Sequence, residues 1–245
     1  MAKLVVVAVL VFAFYGVVRN ACIHRDFGKG STVCVCSAEQ CDLLGKIAKQ
    51  ETGVAGVYES GKDGSRFLAT TIEFSPVDIN FTALPRTRSI IRLQPNVTYQ
   101  QIMGFGGSFT DAAGSNILRL EEPLRSKLLE SYFSEEGLNY NMGRVPIASC
   151  DFSARVYSYA DRSDDFDLAN FSLSLEDIGL KIPLLQIAQK LNKTDPLWLL
   201  ASPWSAPAWM KTNKDMSGRG TLMGKPNGTY YKTWAQYFRE VSGCL

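Results

Sequence analysis

The chain has 245 residues, 46% of them hydrophobic, and 26 basic against 24 acidic side chains give a formal charge of +2. That near balance, with no long run of one sign, excludes nucleic-acid binding through a basic surface and points to a neutral or apolar partner. The apolar fraction suffices for one large core or two ordinary ones.

Lys3 followed by an apolar run from Leu4 to about Val18, ended by Arg19 and Asn20, reads as a secretory signal over residues 1–21. A membrane span would need about 18 to 20 apolar residues. Secretory entry favours oxidised thiols, so the cluster Cys22, Cys34, Cys36 and Cys41 reads as two disulfides in a small β module over 22–51. Zinc is the competing reading. It is disfavoured because paired C-x-x-C spacings are missing and His24 is the sole histidine, so no metal and no cofactor are expected. Cys150 reads as a buried free thiol, and Cys244 has no evident partner. Five sequons, at Asn80, Asn96, Asn170, Asn192 and Asn227, are glycosylation candidates consistent with that compartment.

Over 52–99, the runs Val57 to Ser60, Arg66 to Phe74 and Ser89 to Leu93 read as antiparallel strands, separated by turns at Gly61, Asp63, Gly64, Pro76 and Pro85. They are too few to close a sandwich. From 100 to 245 the pattern becomes strand-then-helix, the sign of a parallel sheet in an α/β fold. A first strand runs from Gln101 to Gly107. Its helix starts with Asp111 as N-cap and presents Ala113, Ile117 and Leu118, and a second helix after Pro123 presents Leu124, Leu128 and Tyr132. The second strand is Asn141 to Ala148. Ser174 and Asp177 resemble a capping box before a helix presenting Leu184, Ile187, Ala188 and Leu191, with Pro183 kinking its start. The unbroken run Leu197 to Ala201 suits a third parallel strand covered on both faces. A last helix from about Tyr230 presents Trp234, Phe238 and Val241. Three strand-helix units are less than half of an eight-unit barrel, which takes about 250 residues.

Gly104-Phe105-Gly106-Gly107 lies between strand and helix, but Phe109 occupies the sixth position of a dinucleotide fingerprint and no P-loop lysine is present after it. Close backbone packing at the barrel mouth explains it better. Arg144 lies inside an apolar strand and needs a carboxylate or carbonyl, because its guanidinium cannot lose its proton. Asp151 and Phe152 fall just past that strand's carboxyl end, where α/β barrels place ligands. Trp204 and Trp209 come after the third strand among Pro203 and Pro207. Either indole could stack on a sugar ring or be buried under a loop, Trp204 being the better candidate contact. Ser-His-Asp catalysis is excluded because His24 belongs to the cysteine cluster.

The segments GFGGSFTDAA, SYFSEEGLNYNMGRVPIASCDFS and LLASPWSAPAWMKTN, in this order, resemble the glucosylceramidases of glycoside hydrolase family 30, as does the N-terminal cysteine spacing. The resemblance spans roughly Cys22 to Phe238. It implies a retaining β-glucosidase acting on glucosylceramide or a related β-glucoside, built as a (β/α)8 TIM barrel with a disulfide-bearing β module and a β-sandwich. Only about three of the eight units fall within this sequence. It also implies disulfides Cys22 to Cys34 and Cys36 to Cys41, glucose contacts from Asp151, Trp204 and neighbouring Phe152, and support from Arg144. A lysosomal location, a lipid membrane surface and a lysosomal activator protein belong to the same implication. Retaining hydrolysis needs two carboxyls about 5 to 5.5 Å apart. The family's pair stands after the fourth and seventh barrel strands, the first in Asn-Glu-Pro. No Asn-Glu-Pro occurs in these 245 residues, and Glu135 and Glu136 match a loop before the second strand. The expectation is therefore a chain with sugar contacts, no catalytic residues and no turnover by itself, or alternatively a non-catalytic sugar- or glycolipid-binding module.

Overall fold

The computed structural model describes residues 25, 27–30, 33–42, 47–62, 65–74, 94–193 and 196–244. The signal segment, Cys22, Asn80 and the expected strand Ser89 to Leu93 lie outside them. Two compact units are formed, Met1–Pro76 and Val77–Leu245.

In the first unit, β1 (Val54–Glu59) and β2 (Leu68–Glu73) pair antiparallel, with Val54 opposite Glu73 and Glu59 opposite Leu68. The Tyr58 and Phe67 rings pack with centroids 4.8 Å apart. Ahead of this hairpin, Cys36 and Cys41 are joined by a disulfide across an isolated antiparallel bridge. Cys34 is disulfide-bonded as well. Arg25 and Asp42 form an ion pair beside it, and Asp42 also accepts from the Val35 amide at 3.1 Å.

The second unit carries a parallel sheet of β3 (Gly106–Ser108), β4 (Met142–Ile147) and β5 (Trp198–Pro203), in that spatial order. Helices α1 (Asp111–Leu118) and α2 (Glu122–Phe133) connect β3 to β4. A π turn over Asp177–Lys181 leads into α3 (Ile182–Leu191) before β5, and α4 (Thr229–Cys244) ends the described chain. No helix among the described residues is long and apolar enough to cross a membrane.

Alternation along the strands separates two faces. Val145 and Leu199 pack with Phe109, Leu129, Leu184 and Ala188 against the helices. Trp198 and Leu200, on the other face of β5, are 56% and 58% exposed. The expectation that β5 is covered on both faces is therefore corrected. An unbroken apolar run carries no alternation, so it marks a strand without saying which face is covered.

Other local expectations shift by a residue or a turn. Thr110, not Asp111, caps α1, its hydroxyl accepting from the Ala113 amide at 3.1 Å. The buried stripe of α2 is Leu129 and Phe133 instead of Leu128 and Tyr132, and that of α4 is Thr233, Tyr237 and Val241 with Trp234 and Phe238 at its margin. At 174–177 the Ser174 amide donates to the Asp177 carboxylate at 3.1 Å, one half of a capping box. Pro183, which has no amide hydrogen to donate, stands in the first turn of α3, directly after the π turn.

Of the glycine cluster, Gly106 packs backbone against backbone and Gly104 packs against a side chain, both at the opposite end of the sheet from the mouth. A Cβ on Gly104 would lie 2.0 Å from Asn141 Oδ1, and one on Gly106 would lie 1.7 Å from the Met142 carbonyl oxygen. Both neighbours stand where β4 begins.

Candidate functional site

Strands β4 and β5 run parallel with Arg144 opposite Leu200 and Ile147 opposite Pro203, so both end at the same level. The residues immediately beyond each strand are therefore presented at the sheet's carboxyl edge. After β5 comes Trp204, and after β4 come Ala148 to Ser153.

Arg144 bridges the two strands. Its guanidinium donates to Ser202 Oγ at 2.8 Å and lies 4.1 Å from the centroid of the Trp204 ring. The expected carboxylate or carbonyl acceptor is thus replaced by a hydroxyl and an indole face, and no carboxylate among the described residues ion-pairs with Arg144. Cation and ring attract through the ring quadrupole, by about 0.5–2 kcal/mol. This contact fixes the indole while leaving Trp204 47% exposed. Trp209 has the other fate. It is buried in the core, and its Nε1 donates to the Ala160 carbonyl at 2.7 Å.

Asp151 and Phe152 are the central pair of a tight turn closed by the Ser153 amide on the Cys150 carbonyl, at 3.2 Å. Both are exposed. No hydrogen bond or ion pair to the Asp151 carboxylate is made among the described residues. Ala148, just before, takes a left-handed φ of 62° although buried, which redirects the chain out of β4 at a cost of order 1 kcal/mol. The structure joins Arg144 to Trp204 directly and sets Asp151 and Phe152 on the neighbouring strand's exit. Glu135 and Glu136 stand at the opposite, amino end of β4. Cys150 is a free thiol, half-buried instead of fully buried, and Cys244 is free and exposed. Of the described sequons, Asn96, Asn170 and Asn227 are exposed, whereas Asn192 is buried with its Nδ2 donating to the Tyr140 carbonyl at 2.9 Å. Among the described residues no cluster could hold a metal ion.

Sequence reasoning missed the polar core under this edge. Lys181 is 1% exposed and ion-pairs with Asp177 at 2.7 Å and Asp111 at 3.6 Å. It also donates to the Pro146 carbonyl at 3.2 Å, on β4. Tyr159 Oη donates to Asp177 at 2.5 Å and Tyr157 Oη to Asp111 at 3.0 Å. Burial first, then the nearby carboxylates, push both phenols well above the ordinary tyrosine range, so they remain proton donors. Asp111 also accepts from Ser153 Oγ at 2.5 Å.

A parallel strand-helix sheet with its candidate contacts gathered at the carboxyl edge is the layout of an α/β barrel domain. The glycosyl hydrolase family 30 TIM-barrel domain matches residues 102–242, more than half of the chain, and the chain belongs to that family. It is 46% identical over 217 residues to lysosomal acid glucosylceramidase of Mus musculus, across 89% of this chain and 41% of that protein. Putative glucosylceramidase 4 of Caenorhabditis elegans is 39% identical over 239 residues, across 95% of this chain and 44% of that protein. Among solved structures, SrfJ from Salmonella typhimurium superposes with a TM-score of 0.60 at 35% identity, across 77% of this chain and 40% of that one. The chain thus spans less than half the length of the curated relatives it matches.

Proposed function

We propose that this chain supplies the sugar-recognition side of a glucosylceramidase-type site, with glucosylceramide or a related β-glucoside as its ligand. The observation that carries this reading is Trp204, held by Arg144 on one side and half exposed on the other, at the carboxyl edge of a parallel sheet. An oriented indole can stack on the apolar face of a pyranose, and Asp151 at the exit of the adjacent strand can accept hydrogen bonds from sugar hydroxyls. Phe152 adds an apolar neighbour. About three of eight barrel units, with part of a β-sandwich ahead of them, is the architecture we assign.

Binding and turnover are separable here. Retaining hydrolysis uses one carboxyl as acid/base and a second as nucleophile. Asp151 is a carboxylate without a partner among the described residues, and Asp111 is held by three partners. We therefore assign the residues of this chain to binding, with no turnover by the chain alone. Kinship with the lysosomal relative supports a lysosomal lumen reached through the secretory pathway; action at a lipid surface with an activator protein extends the same proposal.

The test is equilibrium binding of octyl β-glucoside to the purified chain, with hydrolysis of a fluorogenic β-glucoside monitored in parallel. Binding is expected to fall about tenfold in Trp204→Ala, since aromatic contacts contribute roughly 0.5–1.5 kcal/mol beyond the area they bury. Equal affinities of the chain and Trp204→Ala would overturn the binding assignment. Turnover above that of an Asp151→Ala control would overturn the separation of binding from chemistry.

A further inference from the structure

We propose that Asp111 is a positioning residue for the sugar site, holding the Asp151-Phe152 turn through Ser153; this rests on the proposed sugar-binding function. Four contacts bear on that turn. Asp111 accepts from Ser153 Oγ at 2.5 Å, and the same oxygen accepts from the Cys150 amide at 3.0 Å. The Ala112 amide, a free donor in the first turn of α1, donates to the Phe152 carbonyl at 2.9 Å. The Phe152 amide donates to Cys150 Sγ at 3.3 Å. The base of the loop is closed separately, with Ser149 Oγ donating to the Tyr157 carbonyl at 2.9 Å and accepting from the Tyr157 amide at 3.1 Å.

Asp111 itself cannot drift. It is 4% exposed, and Tyr157 Oη at 3.0 Å and Lys181 Nζ at 3.6 Å hold it in addition to Ser153. The two exposed residues offered to the ligand are thus referenced, through one serine hydroxyl, to the buried polar core. Asp111 touches no ligand in this arrangement. It acts by removing freedom from Asp151, whose carboxylate has no partner among the described residues, and preorganisation of this kind lowers the ordering cost of binding.

Cys150 gives a reading of the turn that needs no ligand. Its thiol is half-buried and receives the Phe152 amide, so opening the turn exposes it; Cys244→Ser removes the exposed competing thiol. In that background, Ser153→Ala and Asp111→Asn are expected to raise the rate of Cys150 labelling by an aromatic disulfide about tenfold and to weaken octyl β-glucoside binding about tenfold, the size of one lost charge-assisted hydrogen bond. The double variant should lose no more than either single one, and Ser153→Thr, which keeps the hydroxyl, should restore both readings. The urea midpoint of Ser153→Ala should stay near that of the parent, which separates positioning from loss of fold; should Asp111→Asn fail to fold, Ser153→Ala and Ser153→Thr decide. Unchanged labelling in Ser153→Ala overturns the clamp whatever the ligand does. Faster labelling with unchanged affinity overturns its role in binding. Faster labelling in a chain that shows no glucoside binding overturns the sugar-site reading and the binding role that rests on it, and leaves the clamp as a property of the fold.

Discussion

Lys181→Met is expected to destabilise the chain by about 3–5 kcal/mol, measured as a loss of unfolding free energy in urea. Lys181 is enclosed, and its ammonium is the cation between two buried carboxylates, Asp177 at 2.7 Å and Asp111 at 3.6 Å. Methionine preserves the length and apolar stem of the side chain but removes the charge, leaving both carboxylates buried with only neutral donors, hydroxyls on Asp111 and the Tyr159 hydroxyl and Ser174 amide on Asp177. The Coulomb gain of such a pair barely exceeds its desolvation cost, so the damage comes from the orphaned charges. A second substitution should therefore relieve it. Asp177→Asn in the Lys181→Met background is expected to recover about 1 kcal/mol or more, because it deletes one uncompensated charge. A Lys181→Met chain within about 1 kcal/mol of the parent would show that the ammonium does not compensate these carboxylates.

None of this network was legible in the sequence. Thr110-Asp111 reads as a helix start and is one, yet the partners that make Asp111 more than a first-turn acid, Tyr157 and Ser153, lie 46 and 42 residues away. Lys181 reads as a solvated lysine, because burial of an ammonium depends on acceptors brought from β4 and from the loop after it. By contrast β4 and β5 were legible, since Val145 to Ile147 and Leu199 to Ala201 are apolar runs closed by Ser, Asp and Pro, whereas the strand expected over Gln101 to Gly107 is only Gly106–Ser108. Trp204 was legible as a candidate contact for the same reason, standing just beyond a strand's end. Its companion ranked below it, but the burial that separates the two was not legible. Trp209 is five residues on and among the same prolines, and partners distant in sequence, the Ala160 carbonyl and the Phe166 and Tyr230 rings, draw it into the core. Arg144 announced a need for an acceptor without identifying it, because Ser202 reaches it only through the register of β4 on β5.

Gly106→Ala and Gly107→Ala, adjacent substitutions of the same size, are expected to differ by about 3 kcal/mol in stability. A methyl on Gly106 would lie 1.7 Å from the Met142 carbonyl oxygen and 2.5 Å from its carbon, both backbone atoms fixed in the β3-β4 pairing. No rotamer change can relieve that contact, so β3 must separate from the start of β4. On Gly107 a methyl meets nothing within 4 Å, and alanine there should stay within about 0.5 kcal/mol of the parent. The effect on binding is carried along the chain from β3 to the sheet's other end. The Phe109 amide donates to the Arg144 carbonyl at 2.8 Å, and two residues further on α1 begins with Asp111. Displacing β3 therefore loosens both the backbone of Arg144, whose guanidinium backs Trp204, and the anchor of the Asp151 turn. Gly106→Ala should lower the urea midpoint, weaken octyl β-glucoside binding and speed Cys150 labelling together, while Gly107→Ala changes none of the three. If the two variants prove equally stable, the close approach of β3 to β4 is not what the glycine pair serves, and the route from the sheet's amino end to the sugar site is lost with it.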